Sequence, residues 1–301
     1  MGLVGSTEQT GGFLLTSLRE ELLDQAIELV QAMKSLCLQY QSYIRDPEYP
    51  LGGNLGKRLE LADECNDRFR VPPIFVARRL RVAGYAQPAE LLNSFSTVVH
   101  RFSLLTIAFA WSEDSDAVLL QHDIESEGNR VLGVLTDARR STPSRALPDT
   151  ALAKLVAAAD LIDSMALCSD DFIFYFEGER DAHEDDDVDP ERRMEELAAT
   201  FDKLPVSAVV SDCKDGGYSQ LASVIEELAA AVSAVVHLPC RVLAASAAED
   251  ADTDLLIPPI SSADGHATDV IEISGHVKIK YGDAIDALLR ASDYTKQRDK
   301  I

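Results

Sequence analysis

Residues 271–281 read Ile-Glu-Ile-Ser-Gly-His-Val-Lys-Ile-Lys-Tyr, and the fold class turns on their period. Ile271, Ile273, Val277, Ile279 and Tyr281 all fall on odd positions, with Glu272, Ser274, His276, Lys278 and Lys280 between them. Such alternation puts apolar side chains on one face of a strand and polar ones on the other, so the spacing predicts a half-buried β-strand. Gly275 interrupts the apolar face, where a glycine marks a bulge or a close backbone approach. Weaker strand candidates lie further out. Ile74, Val76, Leu80 and Val82 share one phase after Pro72 and Pro73, and Leu104 to Trp111, Phe172 to Phe176 and Val206 to Val210 are shorter runs.

The remaining apolar pattern is helical. The clearest helix begins at Ser17, whose hydroxyl and the Glu20 carboxylate three residues on form a capping-box pattern, and it runs to about Arg45 before Pro47. Leu15, Leu22, Leu29 and Leu36 recur every seven residues along it, and Leu18, Ala26, Met33 and Tyr40 widen that face. A two-stranded zipper also needs apolar residues at its second seam position, where Gln25 and Gln39 intervene, so a bundle helix is the better reading. Helical stripes recur at 115–138 (Val118, Leu119, Ile124, Val131, Leu132, Leu135), 150–168, 217–237 and from Asp283 onward.

Strands dispersed among helices predict an α+β fold, a helical bundle with a smaller antiparallel sheet, the two intertwined along the chain. On this expectation residues 13–46, 115–169, 216–238 and 282–301 build the bundle. Residues 47–114, 170–215 and 239–281 build the β-rich region. Loops are expected at 47–56, 139–149, 178–190 and 247–268, where Pro, Gly, Ser and acidic residues cluster.

The charge balance bounds the partners. Acidic residues number 51 against 28 basic ones, a formal charge of −23, and no segment concentrates enough Lys and Arg to offset it. Such a field repels phosphate backbones and favours basic protein surfaces, so no nucleic acid is expected. Cys37, Cys65, Cys168, Cys213 and Cys240 are scattered and form no C-x-x-C pair, which reads as reduced thiols in a cytoplasmic protein rather than zinc ligands or disulfides. No uninterrupted apolar run reaches 18 residues, and Met1 to Gly12 lacks the parts of a signal peptide. Met1-Gly2-Leu3-Val4-Gly5-Ser6 does fit the pattern for myristoylation at Gly2. Without a nearby Cys or polybasic stretch, that implies peripheral membrane association at most.

Motifs that would carry chemistry are incomplete. Leu51-Gly52-Gly53-Asn54-Leu55-Gly56-Lys57-Arg58 approaches a phosphate loop, but Leu51 stands at the first glycine and Arg58 at the magnesium-binding hydroxyl. The acidic run from Asp181 to Asp189 lacks the glycine and the spaced terminal Glu of a calcium loop and reads as a solvated strip, with Pro190 and Glu191 opening a helix behind it. The histidines His100, His122, His183, His237, His266 and His276 show neither metal spacing nor a nucleophile signature. No catalytic residue, metal ligand or cofactor-binding residue is therefore assigned, and no enzymatic activity or cofactor is expected.

The order of segments resembles the Rogdi leucine-zipper family. The likeness lies in the heptad-leucine helix, in Leu104-Leu105-Thr106-Ile107-Ala108-Phe109 leading to the 115–138 helix, in Leu204-Pro205-Val206-Ser207 before the 217–237 helix, and in the closing unit. That unit runs from Ile271-Glu272-Ile273-Ser274 and His276-Val277-Lys278 to Asp283-Ala284-Ile285-Asp286-Ala287-Leu288-Leu289 and ends Gln297-Arg298-Asp299-Lys300-Ile301. The acidic insertion at 181–189 and the region 47–70 depart from it. The resemblance implies an elongated, bent molecule of helical bundle plus small sheet. It also implies a small subunit of the RAVE, or rabconnectin, complex, which promotes assembly of the vacuolar proton-pumping ATPase. The partners it implies are a large WD-repeat subunit and subunits of the pump's peripheral sector, and the location is cytoplasmic or peripheral on endosomal and vacuolar membranes. A generic acidic helical scaffold of trafficking or cytoskeleton, with Gly2 lipidated, is the alternative, and an enzyme with an unrecognised site stands third.

Overall fold

The computed structural model describes residues 17–45, 64, 72–108, 120–141, 147–178, 190–237 and 263–293. Among them the extended elements are α1 Leu18–Arg45, α2 Pro72–Val82, α3 Ala86–Ala108, α4 Ile124–Arg139, α5 Asp149–Gly178, α6 Pro190–Phe201, α7 Val206–Asp215, α8 Ser219–Val236 and α9 Ala263–Asp293. No strand occurs among the described residues, which form an all-helical fold, and the α+β expectation is overturned.

The correction falls on the segment that decided the expectation. Residues 271–281 lie inside α9. Val277 is buried and Tyr281 half-buried, and the buried Ala284, Leu288 and Ala291 continue the same face. Those positions, 277, 281, 284, 288 and 291, follow the i, i+4, i+7 spacing of a helix. Ile279 shares its strand phase with Val277 but lies opposite it on a helix, and it is 63% exposed against 4% for Val277. Five alternating residues fit either period in part, and the buried continuation through Leu288 fits only the helical one. The other strand candidates fail likewise. Ile74 to Val82 lies in α2, Leu104 to Ala108 in α3, Phe172 to Phe176 in α5 and Val206 to Val210 in α7. Residues 109–111 lie outside the described residues. The expected loop at 247–268 is helical from Ala263, and its earlier part, like 47–56 and 179–189, lies outside the described residues.

Local chemistry explains the helix ends. The Ser17 amide donates to Glu20 Oε2 at 3.0 Å and the Glu20 amide to Ser17 Oγ at 3.3 Å, a closed capping box opening α1. Asp123 accepts from the Ser126 amide at 3.0 Å and caps α4. Helix α2 opens on Pro72 and Pro73, which lose nothing in a first turn whose amides have no intrahelical acceptor. It stops at Gly84, which has φ of 93°. There the Tyr85 amide reaches back to the Leu80 carbonyl (2.9 Å) and the Gly84 amide to that of Arg81 (3.1 Å), a Schellman turn. Helix α7 ends the same way around Gly217, φ 82°, with Tyr218 amide to Cys213 carbonyl at 2.8 Å and Gly217 amide to Lys214 carbonyl at 3.0 Å.

The helices form two groups sharing one continuous buried cluster. In the first, α1 packs chiefly on α4 and also on α2 and α3, which pack on each other. Leu22, Leu23, Ala26, Val30, Met33, Leu36, Cys37 and Tyr40 form the buried face of α1, and Leu29 is only partly buried at its edge. Of the heptad leucines, Leu22 and Leu36 thus face the core of their own chain, while Leu15 and Gly2 lie outside the described residues. In the second group α8 is central, contacting α9, α7, α5 and α6. Its 18 residues are apolar and long enough to cross a membrane by length and composition. Even so, its face of Leu221, Ile225, Leu228, Val232 and Val235 is buried in the protein core, and Glu226 and Glu227 on the other side pair with Lys214 and Lys280. Among the described residues the packing between the two groups is made chiefly by α2, against α5 and α9, and Arg19 of α1 adds an ion pair to Asp149 at the start of α5.

Candidate functional site

Chemistry-bearing side chains converge most closely where α2 meets α5 and α9. Helix periodicity gives α2 an apolar face, Val76, Ala77, Leu80 and Ala83, that packs into the buried cluster, and leaves Arg78 and Arg79 to turn toward α5. Arg78 pairs through Nη1 with Asp163 Oδ1, and Arg79 Nε lies 2.6 Å from Asp160 Oδ1 one helical turn earlier on α5. From α9, the Tyr281 hydroxyl donates to Asp163 Oδ1 at 3.4 Å while its ring lies under the Arg78 guanidinium, 5.3 Å from centroid to Cζ. Phe75 covers Arg78 from another side at 5.8 Å.

This is the one ion pair among the described residues with both partners deeply buried. Asp163 is 1% exposed, and its Oδ2 finds no protein hydrogen-bond partner. Burial pushes the Arg78 pKa down, opposed by Tyr281, yet a guanidinium keeps its charge at any working pH. Burial likewise raises the Asp160 carboxyl, with Arg79 opposing it. A buried carboxylate held by Arg and Tyr can bind a cation or move a proton, but this one is closed on three sides by helices and serves as an interhelical tie.

No family model, curated protein or solved structure matches the chain. What can be said of the site comes from its own residues.

A shallow groove of about 540 Å³ lies between α2 and α3, lined by Ile74, Asn93, Ser94, Ser96, Thr97 and His100. Ile74 is 45% exposed at its rim. The Ser94 and Thr97 hydroxyls donate to the Glu90 and Asn93 carbonyls one turn back, both at 2.9 Å, so they are committed to the helix backbone. Elsewhere His122 stands 3.9 Å from Glu127, and His237 is 3.1 Å from Asp202 with its ring edge-on to Phe201. His276 is exposed on α9. No group of three or more metal-ligating side chains occurs among the described residues. Cys37, Cys168 and Cys213 are buried. Burial raises the Cys168 pKa and pushes that of Cys213 up to about 11, which keeps both protonated and unreactive near neutrality. The Leu51–Arg58 stretch, the acidic run 181–189, Cys65, Cys240 and His183 lie outside the described residues.

Sequence reasoning missed Arg78, Arg79, Asp160 and Asp163. Arg78 stands in the phase of Ile74, Val76, Leu80 and Val82 and Arg79 in the opposite one, and neither they nor Asp160 and Asp163 belong to any motif. A signal existed for Asp163, which adjoins Ile162 and Met165 in an apolar run and falls on the inward side of that helix.

Proposed function

We propose that the chain is a non-enzymatic, protein-binding adaptor whose partner presents a basic surface. The observation that supports this is how the described cations are used. Arg78 and Arg79 tie α2 to α5, Arg139 ties α4 to Asp24 of α1, and Lys154 ties α5 to the Asp212 carbonyl of α7. Lys214 and Lys280 bind Glu226 and Glu227 of α8 from α7 and α9. Arg19 reaches from α1 to Asp149 at 2.5 Å and to the Leu147 carbonyl. With several of its cations bridging helices and 51 acidic residues against 28 basic ones, the molecule presents a net acidic exterior. Such a surface steers basic partners toward it and is sensitive to salt.

In its specific form this adaptor promotes assembly of the vacuolar-type proton pump through a large WD-repeat partner, acting in the cytoplasm or at endosomal and vacuolar membranes. That form rests on the order of segments that resembles the Rogdi family; its closing strand is helix in this chain, so the small sheet is no part of the support. Affinity purification of the tagged protein at native abundance, with mass spectrometry of what accompanies it, tests both levels. A WD-repeat protein with peripheral-sector pump subunits supports the specific form. Other stoichiometric partners whose binding weakens with salt support the adaptor alone, and the absence of any stoichiometric partner refutes both.

A further inference from the structure

Core helices of a bundle gain most from apolar contacts, yet within the buried cluster that joins the two helical groups stands an ion pair. Among the described helices the main packing between the groups runs through α2, with Arg19 of α1 also reaching Asp149 and the Leu147 carbonyl at the start of α5, and at the α2 crossing stands the Arg78–Asp163 pair, roofed by Tyr281 and Phe75, with Arg79–Asp160 beside it. A buried pair recovers its desolvation cost only when geometry and further hydrogen bonds are complete, and Asp163 Oδ2 has no protein partner. Either charge regains full hydration if the groups part, whereas most of the packing of α2 is against α1 and α3 and is apolar.

We propose that the Arg78–Asp163–Tyr281 cluster is a latch, and that the molecule opens along this seam with α2 leaving α5 and α9 while staying with α1 and α3. The latch couples the two groups: with it closed they unfold as one unit, and with it broken each behaves by itself. This inference is independent of the adaptor reading, since it concerns only how the chain is joined.

The buried thiols report on the two groups separately, Cys37 in α1 and Cys168 and Cys213 in α5 and α7. Pulse alkylation across a urea series, read by peptide mass spectrometry, locates the midpoint at which each becomes reactive. In the wild type the three midpoints should coincide. In Asp163→Ala, which orphans Arg78, the Cys37 midpoint should part from those of Cys168 and Cys213 by roughly 1 M urea, the scale set by orphaning a buried charge and by the usual urea dependence of domains. If that variant does not fold, Asp163→Asn, which keeps the volume and one acceptor for Arg78, should show the same separation to a smaller extent. The apolar pair Arg78→Met with Asp163→Leu should bring the midpoints back together. Leu80→Ala, which weakens the first group without touching the latch, sets the separation that simple destabilisation of one group produces. The proposal is overturned if the wild-type midpoints already differ, if they fall together in the Asp163 variants, or if Leu80→Ala separates them as widely.

Discussion

Val277 and Ile279 discriminate the helix from the strand by the order of their effects. Truncating Val277 to Ala removes two carbons from a side chain that is 4% exposed, a transfer loss of about 1.5 kcal/mol at roughly 0.8 kcal/mol per buried carbon. The void left among Ala284, Leu288 and the facing helices adds about 1 kcal/mol. Alanine's better helix propensity returns roughly 0.5 kcal/mol, for a net cost of about 2 kcal/mol. Ile279→Ala removes three carbons, but 63% exposure leaves only about a third of their burial to lose, roughly 0.9 kcal/mol. Propensity returns about 0.4 kcal/mol of that, for a net cost near 0.5 kcal/mol. On a strand both residues would share the buried face and the larger Ile279 would cost at least as much as Val277. Urea unfolding followed by far-UV circular dichroism at constant m measures both. A loss for Ile279→Ala equal to or above that for Val277→Ala would refute the helical assignment of 271–281.

Further outcomes follow from the caps, the turns and the thiols. Asp123→Ala removes the acceptor for the Ser126 amide and should lower stability by about 1 kcal/mol, with faster amide exchange confined to the first turn of α4. Gly217→Ala should cost about 1–2 kcal/mol because φ of 82° crowds a Cβ, whereas the exposed mid-helix Gly133, with open space around it, should gain stability on the same change. Cys213, whose thiol is pushed up to about 11, should resist alkylation in the folded protein at pH 8. The unfolded chain loses that proton first, so the contribution is whole below about pH 9 and is lost as pH rises through about 11. Alkaline denaturation of Cys213→Ala should accordingly be flatter over that window than the wild type's. Finally, if the acidic exterior recruits a basic partner, complex recovery should fall steeply between low and physiological salt.

Much of the helical scaffold was legible in order. The capping box at Ser17 and Glu20, the stripe from Leu152 to Met165 and that from Leu221 to Val235 each carry a 3.6 period long enough to exclude alternation. Where runs were short, period misled. Ile74 to Val82 looks alternating when only apolar positions are marked, yet Pro72 and Pro73 in front and Gly84 behind frame an 11-residue helix with a proline start and a glycine stop. Gly216 and Gly217 give the same stop signal after Val206.

The sequence by itself determined that the chain is acidic, that α1 starts at its capping box and that its described cysteines are apolar-face residues. Those properties are local or compositional, fixed by neighbours a few positions away. Tertiary structure alone decided that Val277 turns inward and Ile279 outward, because a five-residue alternation takes its period from what it packs against, and α8 and α5 offer a helical groove rather than a strand edge. It alone also brought Arg78 to Asp163 and Tyr281, since residues 85 and 118 positions apart can be paired only by the helices that carry them, and no local pattern encodes that meeting.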